Sequence, residues 1–299
     1  MSSFDNPDSA PQPDPSTWIS PPAAAPADPF SADPSPPAIH VPVPVAAPVV
    51  RDPVWSGWDV LLLTLLTLVT IVVTQVATVL AAWRFVYPHS PFGDLAQKSI
   101  LILVSQFLSY IAVAIFMVMF VEGKYKTPFW PAIRWNWPSS IMETSGLVLL
   151  GVFTVSLDLL GNYLPMPKTT PFDQFFAHPR DAYLIAVFAV TFGPLMEEIF
   201  FRGFLYPVLA RRTGVVLAIL FTALPFGAIH YFQYKSWAAV LLVTLVGVVL
   251  TTVRAVTKSV AASFLVHAGY NGTLMAITVV ATHGFHHMEK AVFSPILRG

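Results

Sequence analysis

Cysteine is absent from the 299-residue chain, which excludes disulfide bonds, thiol nucleophiles and thiolate metal ligands. Charged side chains are scarce too: they make up 11% of the residues, against roughly 25% in a typical soluble domain. The 16 basic and 16 acidic residues balance, so the composition gives no indication of a nucleic-acid partner. What the chain has instead is 55% hydrophobic residues, and this composition predicts an integral membrane protein in contact with the lipid bilayer.

The N-terminal stretch differs in composition from the rest of the chain. Residues 1–50 hold half of the 28 prolines and no lysine or arginine. Such a segment cannot bury enough apolar surface to become ordered, and its prolines favour extended conformers. We therefore predict a disordered proline-rich tail over residues 1–53, and a short polar tail over residues 286–299 at the other end.

Seven hydrophobic runs, each long enough to cross a hydrocarbon core, follow the tail. They cover approximately residues 59–83, 99–121, 141–161, 182 onward, 215–232, 237–253 and 259–281. The sequence therefore predicts an all-α fold, a polytopic bundle of about seven transmembrane helices over residues 54–285. No internal repeat of a broken-helix pattern is visible, which disfavours many folds of secondary transporters.

Polar and ionisable side chains interrupt the later hydrophobic runs. A charge at membrane depth costs about 2.5–3.5 kcal/mol on insertion scales, so these residues are candidates for a functional site. They are Glu197, Glu198 and Arg202 in the fourth run, His230 in the fifth, and His267 and Asn271 in the seventh.

Four of these residues are expected at a common depth. Glu197 and His230 both lie about 16 residues from the turn between the fourth and fifth runs, which corresponds to roughly 24 Å in an antiparallel helix pair. Counted from the next turn on that side, His267 and Asn271 lie roughly 17 to 22 Å deep. Three helices thus bring Glu197, His230, His267 and Asn271 to one layer. Pro207, however, could break the fourth helix before the turn.

Helical spacing groups the candidates into pairs. Glu198 and Arg202 are four residues apart and can pair as carboxylate and guanidinium, while Glu197 points about 100° away. His267 and Asn271 are also four residues apart and share a face.

Two prolines lie close to the polar layer, Pro194 and Pro225. Each removes a helical hydrogen bond, and irregular backbone at membrane depth is tolerated where protein or a water-filled cavity satisfies it. The prolines therefore favour a hydrated pocket.

The polar residues form three motifs. They are E-E-x-x-x-R (Glu197, Glu198 and Arg202), F-x-x-x-H (Phe226 and His230) and H-x-x-x-N (His267 and Asn271). In this order, each on its own hydrophobic run, they resemble the CAAX-protease and bacteriocin-processing family of intramembrane endopeptidases. The resemblance covers residues 145–281, and no motif position departs from the family pattern.

The resemblance implies an all-helical membrane bundle with an active site below the membrane surface. It implies that Glu197 and His230 activate a water that attacks a peptide carbonyl, and that His267 and Asn271 stabilise the oxyanion. The substrate would be a membrane-associated or lipidated protein or peptide, and the expected location is the cell membrane.

Supporting roles are implied for three further motif residues. Glu198 paired with Arg202 would hold the Glu197 carboxylate, and Phe226 would pack against the site. Outside the motifs, Glu143 and Asp158 are expected near a membrane interface or along the cavity, and three histidines after the last run are expected in a solvated tail: His283, His286 and His287.

No cofactor is expected, although a zinc ion could be held by Glu197, His230 and His267, a ligand set of catalytic zinc sites. The chain has no H-E-x-x-H helix, which favours the metal-free mechanism. Three hypotheses outside proteolysis are also compatible with these residues. A layer of Glu and His forms proton relays in coupled transporters. His267 and Asn271 could instead provide interhelical hydrogen bonds. The chain could also be a non-catalytic scaffold or immunity protein.

Overall fold

The fold is known from a computed structural model that describes residues 52–167 and 169–288. All regular secondary structure within these two ranges is helical, and no strand is assigned there. Seven of the helices are long and apolar enough to cross a membrane. The predicted all-α bundle with seven spans is therefore confirmed, and the protein is an integral multi-pass membrane protein. The expected tails lie outside the described residues over positions 1–51 and 289–299.

The first three spans are nearly continuous helices. The first is α1 (Gly57–Phe85), and the second is α3 (Ser99–Tyr125), which follows the short helix α2 (Phe92–Ala96) and precedes α4 (Phe129–Ala132). The third is α5 (Ile141–Thr154), continued by a 3-10 helix over Val155–Tyr163. A further 3-10 turn, Pro171–Phe176, lies between the third and fourth spans.

The fourth span consists of four helical pieces. They are α6 (Pro179–Val190), α7 (Phe192–Glu197), a π-helical segment (Glu198–Leu205) and α8 (Tyr206–Thr213). Pro194 lies in the first turn of α7, where the missing N–H removes no internal bond of that helix. Pro207 lies in the first turn of α8, directly after the π-helical segment. It does not break the helix, which continues to Thr213.

The last three spans complete the bundle. The fifth is α9 (Val215–Ile229) followed by α10 (Tyr231–Tyr234), the sixth is α11 (Trp237–Thr257) and the seventh is α12 (Val260–Ala281). Four spans begin with a serine whose hydroxyl accepts a backbone N–H three residues later, an N-cap that satisfies a terminal donor. These caps are Ser56, Ser140, Ser236 and Ser259.

Two hydrophobic clusters hold the fourth span against its neighbours. One packs it against α1, α3 and α4; there the indole of Trp55 stacks on Phe204 at 4.6 Å and donates to the carbonyl oxygen of Phe204 at 3.0 Å. The other packs it against α9, α11 and α12 around buried Phe226, Leu250 and Val266. The fourth span is thus fixed from both sides, which matters because it carries the Glu pair.

Helices α5 and α12 approach each other through glycine. A Cβ atom at Gly151 would lie 2.7 Å from the backbone nitrogen of Tyr270 and still closer to the carbonyl oxygen of Val266. A Cβ atom at Gly269 would lie 2.6 Å from the carbonyl oxygen of Val148. Only a residue without a side chain permits this backbone contact, as is usual between membrane helices. The contact fixes the position of α12.

We predict that Gly151→Ala lowers the thermal stability of the purified protein, because the added methyl group meets backbone atoms that cannot move aside. Overpacking of this kind typically costs about 1–3 kcal/mol. Gly146→Ala on the same helix is the control, since its Cβ atom would meet nothing within 4 Å; alanine also favours the helix by up to about 1 kcal/mol. Equal melting temperatures for the two variants would contradict a tight contact at Gly151.

Candidate active site

A cavity of about 530 Å³ lies among the second, fourth, fifth, sixth and seventh spans. Its wall includes all four side chains that the sequence predicts as catalytic: Glu197, His230, His267 and Asn271. The structure therefore brings these four together, from α7, the end of α9 and α12. Their catalytic roles stay predictions.

Glu198 is the most enclosed carboxylate of the site, with no exposed surface. Its Oε1 atom accepts from Arg202 Nη1 at 2.9 Å and from His267 Nδ1 at 2.9 Å. Its Oε2 atom accepts from the hydroxyl of Ser263 at 2.6 Å. The pair with Arg202 is the one that the spacing predicts. Both oxygens are thus engaged by protein donors, and the supporting role of Glu198 stays a prediction.

Arg202 is also fully buried and uses its guanidinium in several directions. Besides Glu198, it donates from Nε to the hydroxyl of Thr251 at 3.2 Å and from Nη2 to the carbonyl oxygen of Gly247 at 3.1 Å. The guanidinium carbon lies 4.3 Å from the ring centroid of Phe226, a distance of cation–π contact. Arg202 therefore ties the fourth span to the sixth as well as neutralising Glu198.

His267 is oriented by Glu198. An ionised carboxylate only accepts hydrogen bonds, so Nδ1 carries the proton in this contact. The other nitrogen, Nε2, faces Oε2 of Glu197 at 3.7 Å, which is too long for a direct hydrogen bond. The sequence predicts that Glu198, paired with Arg202, holds the Glu197 carboxylate; in the structure Glu198 accepts from Arg202, His267 and Ser263. Ser263 is a residue that the sequence reasoning missed, although its position four residues before His267 places both on one face.

His230 lines the cavity and has one ring nitrogen engaged by the backbone. Its Nδ1 atom lies 2.7 Å from the carbonyl oxygen of Phe226, which can only accept, so Nδ1 is the protonated nitrogen. In the neutral ring Nε2 then holds a free lone pair and can accept a proton. Phe226 packs against both histidines, with ring centroids 5.0 Å from His230 and 5.9 Å from His267.

Asn271 is fixed by the irregular backbone of the fourth span. Its Nδ2 atom donates to the carbonyl oxygen of Ala189 at 2.7 Å, directly before the break between α6 and α7. This contact uses one of the two amide hydrogens. The second hydrogen is the one that can serve a ligand in the cavity.

A second polar pair stands behind the cavity wall. The hydroxyl of Tyr270 lies 3.1 Å from each carboxylate oxygen of Asp158, and Tyr270 itself lines the cavity. The sequence placed Asp158 near an interface or along the cavity but did not single out its tyrosine partner. Glu143, in contrast, lies exposed in the first turn of α5, where it accepts from the backbone of Ser139 at 2.8 Å.

The residues suggested as zinc ligands are Glu197, His230 and His267. Within residues 52–167 and 169–288, no three histidine or acidic side chains stand close enough together to hold a metal ion. His267 and His230 each direct Nδ1 to a protein oxygen, on Glu198 and Phe226, which leaves Nε2 as the nitrogen that either ring could offer to a metal. The metal-free mechanism therefore stays a prediction.

Residues 179–273 match the family model described as type II CAAX prenyl endopeptidase Rce1-like. This stretch begins with the fourth span and contains all three motifs. The match supports the family resemblance that the motifs predict: this part of the chain is similar to the Rce1-like endopeptidases. No curated protein and no solved structure gives a match to the chain.

We predict that Arg202→Ala markedly lowers the melting temperature in detergent, because it leaves Glu198 buried without its cation. Breaking one side of a buried ion pair costs about 3–5 kcal/mol. Exposed Arg212 offers the matched control, and Arg212→Ala should melt like the wild type. The double variant Glu198→Gln with Arg202→Met should recover part of the loss, since no lone charge remains, although the bonds to Thr251 and Gly247 stay absent. An Arg202→Ala variant as stable as wild type would rule out a structural ion pair.

Proposed function

We propose that the protein is an intramembrane endopeptidase that hydrolyses a peptide bond of a membrane-associated or lipidated protein or peptide, in the cell membrane. The observation that carries the proposal is the convergence of Glu197, His230, His267 and Asn271 on one cavity inside the segment that matches the family. The cavity volume of about 530 Å³ lies within the range of roughly 300–1,000 Å³ that is usual for ligand sites.

The first step is activation of a water molecule. The Glu197 side chain is 22% exposed and lines the cavity, and its carboxylate is free of the Arg202 ion pair. Nε2 of His230 supplies a second proton acceptor on the same wall. A water held by these two groups loses a proton to one of them as its oxygen bonds to the peptide carbonyl carbon, which is general-base catalysis.

The second step is stabilisation of the oxyanion that this attack creates. Asn271 offers its remaining amide hydrogen. His267 already donates Nδ1–H to Glu198, so it can offer a second N–H as an imidazolium. In that form His267 and Arg202 balance the two carboxylates at positions 197 and 198, which satisfies the requirement that buried charges be compensated. One oxyanion donor is typically worth about 10²–10³ in kcat.

The last step breaks the C–N bond. The proton taken from water moves from Glu197 or His230 to the leaving nitrogen, and the new carboxylic acid and amine separate. Water supplies every atom that is added, and the atoms of the reaction balance.

We predict that Glu197→Gln abolishes cleavage of a membrane-presented peptide library while the protein still inserts and melts normally, because the amide cannot take a proton from water. Glu143→Gln is the control, since that carboxylate lies exposed at the end of α5; it should cleave like the wild type. Mass spectrometry of the products measures both. Full activity of a well-folded Glu197→Gln variant would refute the mechanism. Absence of cleavage by the wild type would favour a proton-coupled transporter or a non-catalytic scaffold.

Metal removal separates the two protease mechanisms. We expect purified protein to cleave the same library at an unchanged rate after dialysis against a chelator, with substoichiometric zinc by elemental analysis, because Glu197 and His230 activate water directly. Loss of activity that is restored by one equivalent of zinc would replace this mechanism with the zinc-dependent one.

A further inference from the structure

Arg254 is a buried arginine that has no acidic partner among the described residues. It lies in the last turn of α11, and 4% of its surface is exposed. Arg202, which is also buried, is paired with Glu198, whereas Arg254 takes part in none of the ion pairs that the described residues form. A buried charge without compensation is among the costliest states of an ionisable side chain, so an anion beside Arg254 would stabilise the protein.

One donor of Arg254 has a structural use. In the π-helical segment, the N–H of Tyr206 donates to the carbonyl oxygen of Phe201, five residues earlier. The next bond in this pattern would come from Pro207, which has no N–H. The carbonyl oxygen of Arg202 instead accepts from Nε of Arg254 at 3.2 Å. The backbone of the fourth span thus holds the guanidinium group at its Nε atom.

The other four N–H groups of this guanidinium are carried by Nη1 and Nη2. The bond from Nε is the one hydrogen bond that Arg254 forms with a described residue, so both Nη atoms are without an acceptor there. Among the described residues, the fully enclosed side-chain atoms without a partner are the hydroxyl oxygens of Thr78 and Thr222. Both Nη atoms of Arg254 therefore keep some accessible surface, and a ligand can reach them although the side chain as a whole is buried.

Arg134 supplies a second guanidinium beside Arg254. It is near enough for its charge to act on Arg254, and it forms an ion pair with Asp52. The side chains of that pair are 39% and 56% exposed, and exposed ion pairs are weak. Arg134 can therefore turn towards another anion. Together Arg134, Asp52 and Arg254 carry one net positive charge.

The two arginines lie at the depth of the lipid headgroups. Arg254 is three residues from the end of α11, or roughly 5 Å, and the carbonyl oxygen of Arg134 accepts from the N–H of Val260 at the start of α12, at 3.0 Å. The segment around Arg134 also carries Trp130 and Trp137, both exposed. Exposed tryptophans of membrane proteins concentrate at the level of the headgroups, where lipid phosphates lie.

The whole end of the bundle that contains Arg254 is basic. It comprises residues 52–60, 121–143, 206–215 and 254–260, which hold seven lysines and arginines against four acidic residues. Such an excess raises the local concentration of anions. Basic pockets between membrane helices at this level are suited to phosphate headgroups.

We propose that Arg254 and Arg134 bind a phosphate group, which belongs either to an anionic lipid headgroup or to free phosphate. A planar guanidinium matches two oxygens of one phosphate, so Arg254 donates from both Nη atoms while Nε stays on the backbone. Arg134 then exchanges Asp52 for the phosphate. This inference goes beyond the proposed function, because the wall of the cavity extends along α11 no further than Val246, eight residues before Arg254.

The test measures lipid binding to the purified full-length protein in an uncharged detergent by native mass spectrometry. Phosphatidylglycerol is the anionic probe, and phosphatidylcholine with the same acyl chains is the zwitterionic control. We expect the wild type to bind one phosphatidylglycerol at least about tenfold more tightly, because charge-assisted bonds to phosphate are strong and the choline cation of the control opposes Arg134. Melting temperatures with and without inorganic phosphate form the second arm, which reports on free phosphate.

Three variants locate the effect. Arg254→Gln should lose the preference for the anionic lipid. Arg134→Gln should weaken it by about two- to fivefold, the range of exposed ion pairs, and should fold normally because the side chain is partly exposed. Arg212→Gln is the matched control, since it removes an exposed positive charge from the same end of the bundle; it should keep the wild-type preference.

The outcomes separate the two sources of phosphate from failure of the inference. A melting temperature that inorganic phosphate raises in the wild type but not in Arg254→Gln, without a lipid preference, assigns the site to free phosphate. Equal binding of the two lipids by the wild type with no response to inorganic phosphate overturns the inference, as does a preference that Arg254→Gln keeps. If Arg254→Gln does not fold, the comparison of Arg134→Gln with Arg212→Gln decides, and equal results for these two variants overturn the inference.

Discussion

The buried carboxylate of Glu198 is the constraint on which the site depends. It lies wholly inside the bundle and receives hydrogen bonds from its own span and from the seventh. An uncompensated charge there would be expensive, so Arg202 must stay beside it. The ion pair therefore connects the fourth span to two other helices. Arg202 contacts α11 through Thr251 and Gly247, and Glu198 contacts α12 through Ser263 and His267.

The ion pair gives the adjacent residues Glu197 and Glu198 different environments. Both carboxylate oxygens of Glu198 accept hydrogen bonds inside the bundle. Glu197, one residue earlier, lines the cavity, and its carboxylate is outside the ion pair with Arg202. A single rotation of about 100° along the helix is sufficient for the difference. Two neighbouring acids at membrane depth are therefore not redundant, because one fixes the histidine that the other faces.

The sequence predicted the parts of the structure that depend on local patterns. Span limits follow from runs of apolar residues, and the Glu198–Arg202 pair follows from helical spacing. The contact between Glu198 and His267 was not predicted, because it joins residues 69 positions apart whose relative rotation depends on packing. The sequence did not predict the helix break at Thr191 either, because Thr191 and Phe192 are not helix-breaking residues. The break lies close to Ala189, whose carbonyl oxygen accepts the hydrogen bond from Asn271. The limits of the terminal tails stay predictions.

The π-helical segment Glu198–Leu205 has a consequence for how the fourth span tolerates length changes. A π turn accommodates an extra residue relative to an α-helix, so the two halves of this span have independent rotational registers. The half before the segment carries Glu197 on the cavity wall, and the half after it is held at Arg211, whose guanidinium donates to the carbonyl oxygens of Pro53 and Trp55. Deleting a residue of the segment other than Glu198 and Arg202 would rotate Glu197 relative to the histidines, although every residue of the site would still be present.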